Sequence, residues 1–200
     1  MNIPSKVIKR LSLYHYILND IDGQYVSSAQ IAQLLKIDNS QVRKDIKYIN
    51  NPGKCRVGYD VKELKKAIEK NLGFKQKRNA FIIGAGNVGS ALAKYDNFKV
   101  YGLNIIAMFD NNEAKIGSNI NGTKVYNITK IGEMVKQSKV DIAILTVPKH
   151  AANEIADRLV RAGIKYIWNF TPKVLDVPEG VKVWHENLVG TFLQIRNIKG

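Results

Sequence analysis

A short apolar run, Asn79-Ala80-Phe81-Ile82-Ile83, leads straight into Gly84-Ala85-Gly86-Asn87-Val88-Gly89 and then into Ser90-Ala91-Leu92-Ala93. Three glycines at this spacing constrain the chain more than any other feature. A strand must end in a tight turn at Gly84, and a helix must start at once and lie close against that strand. Gly84 allows the turn. Gly86 leaves the backbone open to an anionic group, and Gly89 lets strand and helix touch while the helix N-terminus faces the anion. The motif in this context predicts a parallel α/β fold with a dinucleotide pyrophosphate on the loop formed by Gly84, Ala85, Gly86, Asn87, Val88 and Gly89. A second strand, Leu103 to Phe109, ends in Asp110, 21 residues past Gly89. A carboxylate there suits the ribose hydroxyls of an adenosine and repels a 2′-phosphate, so NAD(H) is favoured over NADP(H). Lys115, in the loop that follows, is assigned to the same site.

Two further runs extend the sheet. Asp141 to Leu145 passes into Thr146-Val147-Pro148, and Tyr166 to Asn169 into Phe170-Thr171-Pro172, with a helix from about Lys149 to Ala162 between them. Ligands of open α/β sheets sit at the carboxyl ends of the strands. Thr146, Val147, Pro148, Asn169, Phe170, Thr171 and Pro172 are therefore expected to line the nicotinamide half of the site. The tail from Asn187 through Leu193 to Ile198 reads as a helix with one apolar side. It can cap the sheet or pack on a second subunit.

The first part of the chain has another texture, and a basic stretch around residues 73–79 marks the change. Before it the apolar spacing is helical. Val7, Ile8, Leu11, Tyr14 and Leu18 place a helix over residues 4 to about 19. Ser27 or Ser28 caps a second helix with Ile31, Leu34 and Leu35 inward. After the turn Lys36-Ile37-Asp38, Asn39 or Ser40 caps a third helix through about Ile49, with Val42, Ile46 and Ile49 inward. Two short helices joined by a tight turn, the second basic, form a helix-turn-helix signal. Its outer face carries Ser40, Gln41, Arg43, Lys44, Lys47 and Tyr48. Gln and Arg can contact base edges in a major groove, and lysines and hydroxyls can hold phosphate. Asp45 is the exception and is expected to pair with a basic neighbour. Residues 50–61 hold turn formers, and Lys54, Arg56 and Tyr59 are placed on a short hairpin, a wing beside the recognition helix. Val61, Leu64, Ile68 and Leu72 close the unit with an amphipathic helix.

The charge agrees with this division. The chain carries a net +14, and residues 1–78 hold 16 Lys and Arg against 7 Asp and Glu, whereas residues 79–200 hold 15 against 10. An excess concentrated in one segment suggests a polyanionic partner. No apolar run approaches the ~18 residues of a membrane span. The N-terminus lacks an apolar signal core, and the single cysteine, Cys55, fits a reducing compartment, so a cytoplasmic location is expected. No metal-ligand cluster is evident. Catalysis finds little support: the histidines are scattered, no substrate domain remains, and only His150 or Tyr95 stands near the nicotinamide end. The competing reading is an NAD-dependent oxidoreductase with a basic accessory domain.

Taken together, the motifs resemble Rex, the redox-sensing transcriptional repressors of bacteria. The matching stretches are Lys9 to Tyr14, Val26-Ser27-Ser28, Gln41 to Asp45, Val57 to Val61, Gly84 to Gly89, Phe109-Asp110, Ala143 to Pro148, Ala162 to Lys165 and Asn169 to Pro172. The resemblance implies a winged helix over 1–78, a Rossmann-like NAD(H)-binding domain over 79–186 and a domain-swapped dimerisation helix over 187–200. It implies a homodimer on a pseudo-palindromic double-stranded operator, released by NADH, with no catalysis and no membrane. Gln41, Arg43 and Lys44 would contact DNA from the recognition helix, with Ser27 and Ser28 on phosphate. Tyr95 matches a tyrosine that the family uses near the redox-sensitive ring. The family's aspartate at the start of the swapped helix reads Asn187 here, followed by Leu188, and a wing glycine of the family is replaced by Arg56. A Rex-like repressor with weakened redox switching is the further alternative these departures raise.

Overall fold

The computed structural model describes residues 3–197 and divides between Gln76 and Lys77 into two compact units. In the first, α1 (Ser5–Ile17) starts at Pro4, whose fixed φ suits a helix start, and ends in a 3₁₀ turn over Leu18–Asp20. β1 (Tyr25–Val26) leads into α2 (Ser28–Leu35), which opens on a capping box. The Gln30 N–H donates to the Ser27 hydroxyl at 3.1 Å, and the Ser27 N–H donates to the Gln30 side chain at 2.8 Å. Ile31 and Ala32 are buried, but Leu34, expected inward, is 59% exposed. The inward face of this short helix lies between Ile31 and Ala32, and Leu34 sits well around the helix from it, at about 100° of turn per residue.

α3 (Asn39–Lys47) is capped by Asp38, not by Asn39 or Ser40; the Asp38 carboxylate accepts the Ser40 N–H at 2.7 Å. The helix ends at Lys47 with Tyr48 as its cap, short of Ile49, although Ile49 is still buried with Val42 and Ile46. β2 (Tyr59–Asp60) pairs antiparallel with β1, and Asp60 caps α4 (Val61–Leu72), which stops at Gly73 in the left-handed region. Leu11, Tyr14, Ile31, Val42, Ile46, Leu64 and Ile68 form the core of this unit.

The second unit is built on one seven-stranded sheet. In chain order it contains β3 (Arg78–Ile83), α5 (Asn87–Ala93), a short α6 (Asn97–Val100), β4 (Leu103–Asp110), β5 (Asn119–Ile120), β6 (Thr123–Asn127), α7 (Ile131–Ser138), β7 (Ile142–Leu145), α8 (Ala152–Ala162), β8 (Tyr166–Asn169), β9 (Lys182–His185) and α9 (Leu188–Arg196). The order across the sheet is β5-β6-β4-β3-β7-β8-β9, parallel except for the β5–β6 hairpin. From β6 to β9 this is the doubly wound order, with its topological switch between β3 and β7. β3 is buried on both faces: Phe81 and Ile83 join the core under α7 and α8, and Ile82 joins the core with Ala93 of α5. That explains its continuous apolar run. Fully burying each such side chain contributes roughly 1.5–3 kcal/mol.

The expected tail helix from Asn187 is present as α9, which runs over Leu188–Arg196 with Asn187 as its N-cap. Its described apolar side chains, Leu188, Val189, Phe192, Leu193 and Ile195, are exposed. Ile198 and the last two residues of the expected tail helix lie outside the described residues.

Candidate functional site

The cleft lies where the strand order predicts it, at the carboxyl ends of β3, β4, β7 and β8, with a volume of about 920 Å³. The glycine loop forms its floor. Gly84 has φ +103°, and a Cβ there would meet the Thr146 carbonyl oxygen at 2.9 Å. Gly89 is tighter still, since a Cβ would fall 2.0 Å from the Gly84 carbonyl oxygen. Gly86 differs: a Cβ would meet nothing within 4 Å, so its emptiness serves something other than packing. No side chain caps α5, whose first N–H groups are thus left for a ligand. An anionic group fits this cradle.

The Thr146 hydroxyl donates to the Gly84 carbonyl at 2.8 Å, tying the end of β7 to the loop. Thr146, Val147 and Pro148 line the cleft, as do Phe170 and Pro172. Asn169 does not. It is fully buried, its Oδ1 accepts the Thr171 N–H and hydroxyl at 2.9 and 2.8 Å, and its Nδ2 donates to the Lys173 carbonyl at 2.7 Å. Asn169 and Thr171 shape the loop that presents Phe170 and Pro172. Ala85 is buried, Asn87 is exposed beside the cleft's rim, and Val88 lines it.

Asp110 closes β4 at the other side. Its Oδ2 accepts the Ala85 N–H at 2.8 Å, its Oδ1 accepts the Asn112 N–H at 2.9 Å, and Lys115 Nζ lies 3.4 Å from Oδ2. Burial pushes this carboxyl up, but the Asn112 and Ala85 N–H groups and the Lys115 ammonium hold it below the ordinary carboxylate range. An ionised acceptor with a lone pair still free on Oδ1 suits a ribose hydroxyl. The residues present fit a dinucleotide: Gly86 and the start of α5 for the pyrophosphate, Asp110 for the ribose, and the β7 and β8 ends for the far half. His150 also lines the cleft. Sequence reasoning missed Asn127, Glu154 and Arg158, which line it too.

Tyr95 does not line the cleft. Its ring packs edge-on against Phe98 at 5.0 Å, Phe98 meets Trp168 at 5.7 Å, and Trp168 meets Phe170 at 5.0 Å. An aromatic chain thus joins it to a lining residue. Asn187 caps α9, its Oδ1 accepting the Gly190 N–H at 2.8 Å, and Leu188 is exposed just after it.

In the first unit, Arg43, Lys44 and Lys47 project from α3 into solvent, while Ser40 and Gln41 are half-buried. Asp45 pairs with a base as expected, but the partner is Arg10 of α1 rather than a neighbour on its own helix. Ser27 uses its hydroxyl oxygen in the cap of α2, and Ser28 starts that helix. The wing is a tight turn closed by the Lys54–Gly58 bridge. Lys54 Nζ donates to the Tyr25 hydroxyl at 2.9 Å, and Arg56 stands exposed at the tip. Arg56 has φ +61°, a conformation that glycine adopts without strain. Tyr59 turns inward and packs against the core.

Comparison with known proteins finds matches to both units of the chain. Residues 2–46 match the model for a putative DNA-binding protein N-terminus, and residues 75–173 match the CoA binding domain model. The redox-sensing transcriptional repressor Rex of Treponema denticola is 42% identical over 191 residues, covering 94% of this chain and 91% of its own. That of Carboxydothermus hydrogenoformans is 44% identical over 184 residues, covering 90% and 88%. This chain belongs to the Rex family. Solved Rex structures extend the likeness to the backbone. RSP in complex with beta-NAD+ and operator DNA is 36% identical with a TM-score of 0.89, covering 98% of this chain and 92% of that one. RSP in complex with beta-NADH has a TM-score of 0.87, covering 98% and 94%. The resemblance read from the motifs, and the winged-helix and Rossmann-like architecture it implied, are borne out. Among the described residues no helix is long and apolar enough to cross a membrane.

Proposed function

We propose that this Rex-family chain is a repressor that binds a pseudo-palindromic double-stranded operator and lets it go when NADH fills the cleft. It acts in the cytoplasm as a homodimer and catalyses no reaction. The observation that carries this reading is one chain holding two ligand surfaces of different chemistry: the cationic face of α3 and the open glycine cradle beside Asp110. On the DNA side, Arg43, Lys44 and Lys47 contact the major groove. Ser27, Ser28, Ser40, Lys54 and Arg56 hold phosphate or the adjoining groove, and Gln41 and Tyr59 contribute from half-buried positions. On the nucleotide side, Gly84 to Gly89 take the pyrophosphate, Asp110 with Lys115 the ribose, and the loops at Thr146–Pro148 and Asn169–Pro172 the nicotinamide end. The exposed apolar side of α9 supports a partner subunit, against which this helix packs as the swapped element. Tyr95, Asn187 and Leu188 belong to the coupling of cofactor and dimer.

A ligand moves such an equilibrium only through its different affinity for two states. The deciding measurement is fluorescence anisotropy on a labelled pseudo-palindromic duplex selected from a random pool, titrated with NADH and, separately, with NAD+. NADH is expected to release the duplex well below the NAD+ concentration that does so. Specific binding that neither nucleotide moves would overturn the switch. Turnover of NADH without an added oxidising enzyme would overturn the non-catalytic reading.

A further inference from the structure

A carboxylate stands in the middle of the cationic helix, and it faces inward. Asp45 is fully buried, between residues that send Lys44 and Lys47 into solvent. Its Oδ2 accepts from Arg10 Nε at 2.6 Å and from the Tyr14 hydroxyl at 2.7 Å. Its Oδ1 accepts from Arg10 Nη2 at 2.8 Å and from Gln41 Nε2 at 2.8 Å. Four donors from two helices therefore converge on two oxygens.

The apolar contacts of α3 cannot do what this cluster does. Val42 and Ile46 hold the helix at its depth, but apolar contacts have little angular preference. The guanidinium fork of Arg10 is planar and binds a carboxylate side-on, so it fixes rotation about the helix axis. That rotation decides where Arg43, Lys44 and Lys47 point. The cluster also decides which way the Gln41 amide lies. Burial pushes Asp45 up, but hydrogen bonds from Arg10, Tyr14 and Gln41 hold it below the ordinary carboxylate range. An ionised carboxylate only accepts, so Gln41 must turn its NH₂ inward and its Oε1 away.

We propose that Asp45, Arg10 and Tyr14 are positioning residues for base reading, and that they fix which way the Gln41 amide meets the nucleic acid. This rests on the DNA-binding reading above. A glutamine free at both ends pairs with adenine through donor and acceptor together. Gln41 held by Asp45 spends one N–H on the carboxylate and keeps Oε1 and its second N–H for that pairing, in one orientation. Its neighbours Arg43 and Lys44 supply further donors.

The test is selection of duplexes with a random core by the full-length protein and by Asp45→Asn, followed by binding of the wild-type consensus and of a shuffled duplex over a range of salt. Asp45→Asn is expected to lower the consensus-to-shuffled affinity ratio at least tenfold and to leave the salt slope within one phosphate of the wild type. One position in each half-site should become degenerate, since an amide in place of the carboxylate both donates and accepts and no longer dictates the orientation of Gln41. Gln41→Ala should relax that same position, and no other. If Asp45→Asn does not fold, Tyr14→Phe removes one donor to the same carboxylate and is expected to lower the ratio about threefold. A wild-type ratio in a folded Asp45→Asn, or in Tyr14→Phe if that is the variant measured, overturns the proposal. If the wild type itself selects no consensus, the DNA-binding reading fails first and this one with it.

Discussion

The two units of the chain hold their functional groups by opposite means. In the first, α3 is oriented by side chains: Asp45 is clamped by Arg10, Tyr14 and Gln41 across 35, 31 and 4 residues of sequence. In the second, the cleft is set by the backbone. Gly89 touches Gly84, Asp110 is pinned by the N–H groups of Ala85 and Asn112, and Asn169 ties its loop through the Thr171 N–H and the Lys173 carbonyl. A side-chain clamp can be loosened by many substitutions at a few positions. A backbone cradle tolerates most substitutions and fails at its glycines.

Gly89→Ala should have the largest effect. Its methyl group would fall 2.0 Å from the Gly84 carbonyl oxygen and 2.8 Å from the Thr146 hydroxyl, and the first of these is backbone that cannot step aside. We expect a loss above the usual overpacking range, about 4 kcal/mol or more, confined to the second unit. Urea unfolding followed by the tryptophans, both of which lie in that unit, measures it. A cleft that survives Gly89→Ala breaks the contrast.

Next is the clamp. Arg10→Met leaves Asp45 buried with its main charged partner gone, a change that costs roughly 3–5 kcal/mol for a fully buried pair. Arg10 is 26% exposed, so the lower end applies. The pH dependence gives a second check. The folded-state pKa of Asp45 lies below its unfolded value, so the contribution of the clamp is fully present above about pH 4. It is lost as pH falls through the folded value, where the unfolded chain binds the extra proton. The stability gap between wild type and Arg10→Met should therefore narrow in acid. A gap that stays constant down to about pH 3, below the ordinary aspartate range, would mean that Arg10 acts by packing alone.

These positions also show why parts of the molecule were legible in the sequence. The glycine motif and Asp110 could be read because their backbone demands leave few residue types to choose from, at fixed spacing. The α3 face could be read because Val42, Ile46 and Ile49 mark its inner side. The partner of Asp45 could not be read, since nothing local points 35 residues back to Arg10. The cap of α3 was ambiguous because Asp38, Asn39 and Ser40 all cap well, and the tertiary turn chose Asp38. The β5–β6 hairpin, α7 and β9 went unread. β5 has two residues, and β9 is an edge strand whose Trp184 and His185 are exposed, so neither shows a buried alternation. Glu154 and Arg158 line the cleft only because the sheet order brings α8 over it.

Smaller effects should separate the two surfaces. Gly86→Ala adds a methyl group where nothing lies within 4 Å, so the fold should be unchanged while NADH binding weakens by about 1–3 kcal/mol. Isothermal titration with NADH checks this, and DNA binding without nucleotide should match the wild type. Arg43→Ala should do the reverse: specific duplex binding falls by about 1–3 kcal/mol and NADH affinity is untouched. If Arg43→Ala leaves specific binding intact, the recognition face has been misplaced. If Gly86→Ala weakens DNA binding without nucleotide, the two machineries are not separable in the way their architecture suggests.

The smallest expected change falls where a side chain and the backbone meet, at the start of α9. Asn187 accepts the Gly190 N–H at 2.8 Å, and a Cβ on Gly190 would strike the Asn187 amide at 2.8 Å, so cap and glycine fit each other. Asn187→Ala removes the acceptor and should cost about 1 kcal/mol. Asn187→Asp keeps an oxygen in place and adds a negative charge at the positive end of the helix, which should stabilise by about 0.3–1 kcal/mol. The gain should be present at neutral pH and vanish below about pH 4, where the new carboxyl is protonated. Thermal unfolding of the wild type and both variants at one fixed concentration checks both signs. Equal stability of Asn187→Asp and Asn187→Ala would show that the cap hydrogen bond is not what sets the start of α9, and that this end of the chain is held by its partner surface instead.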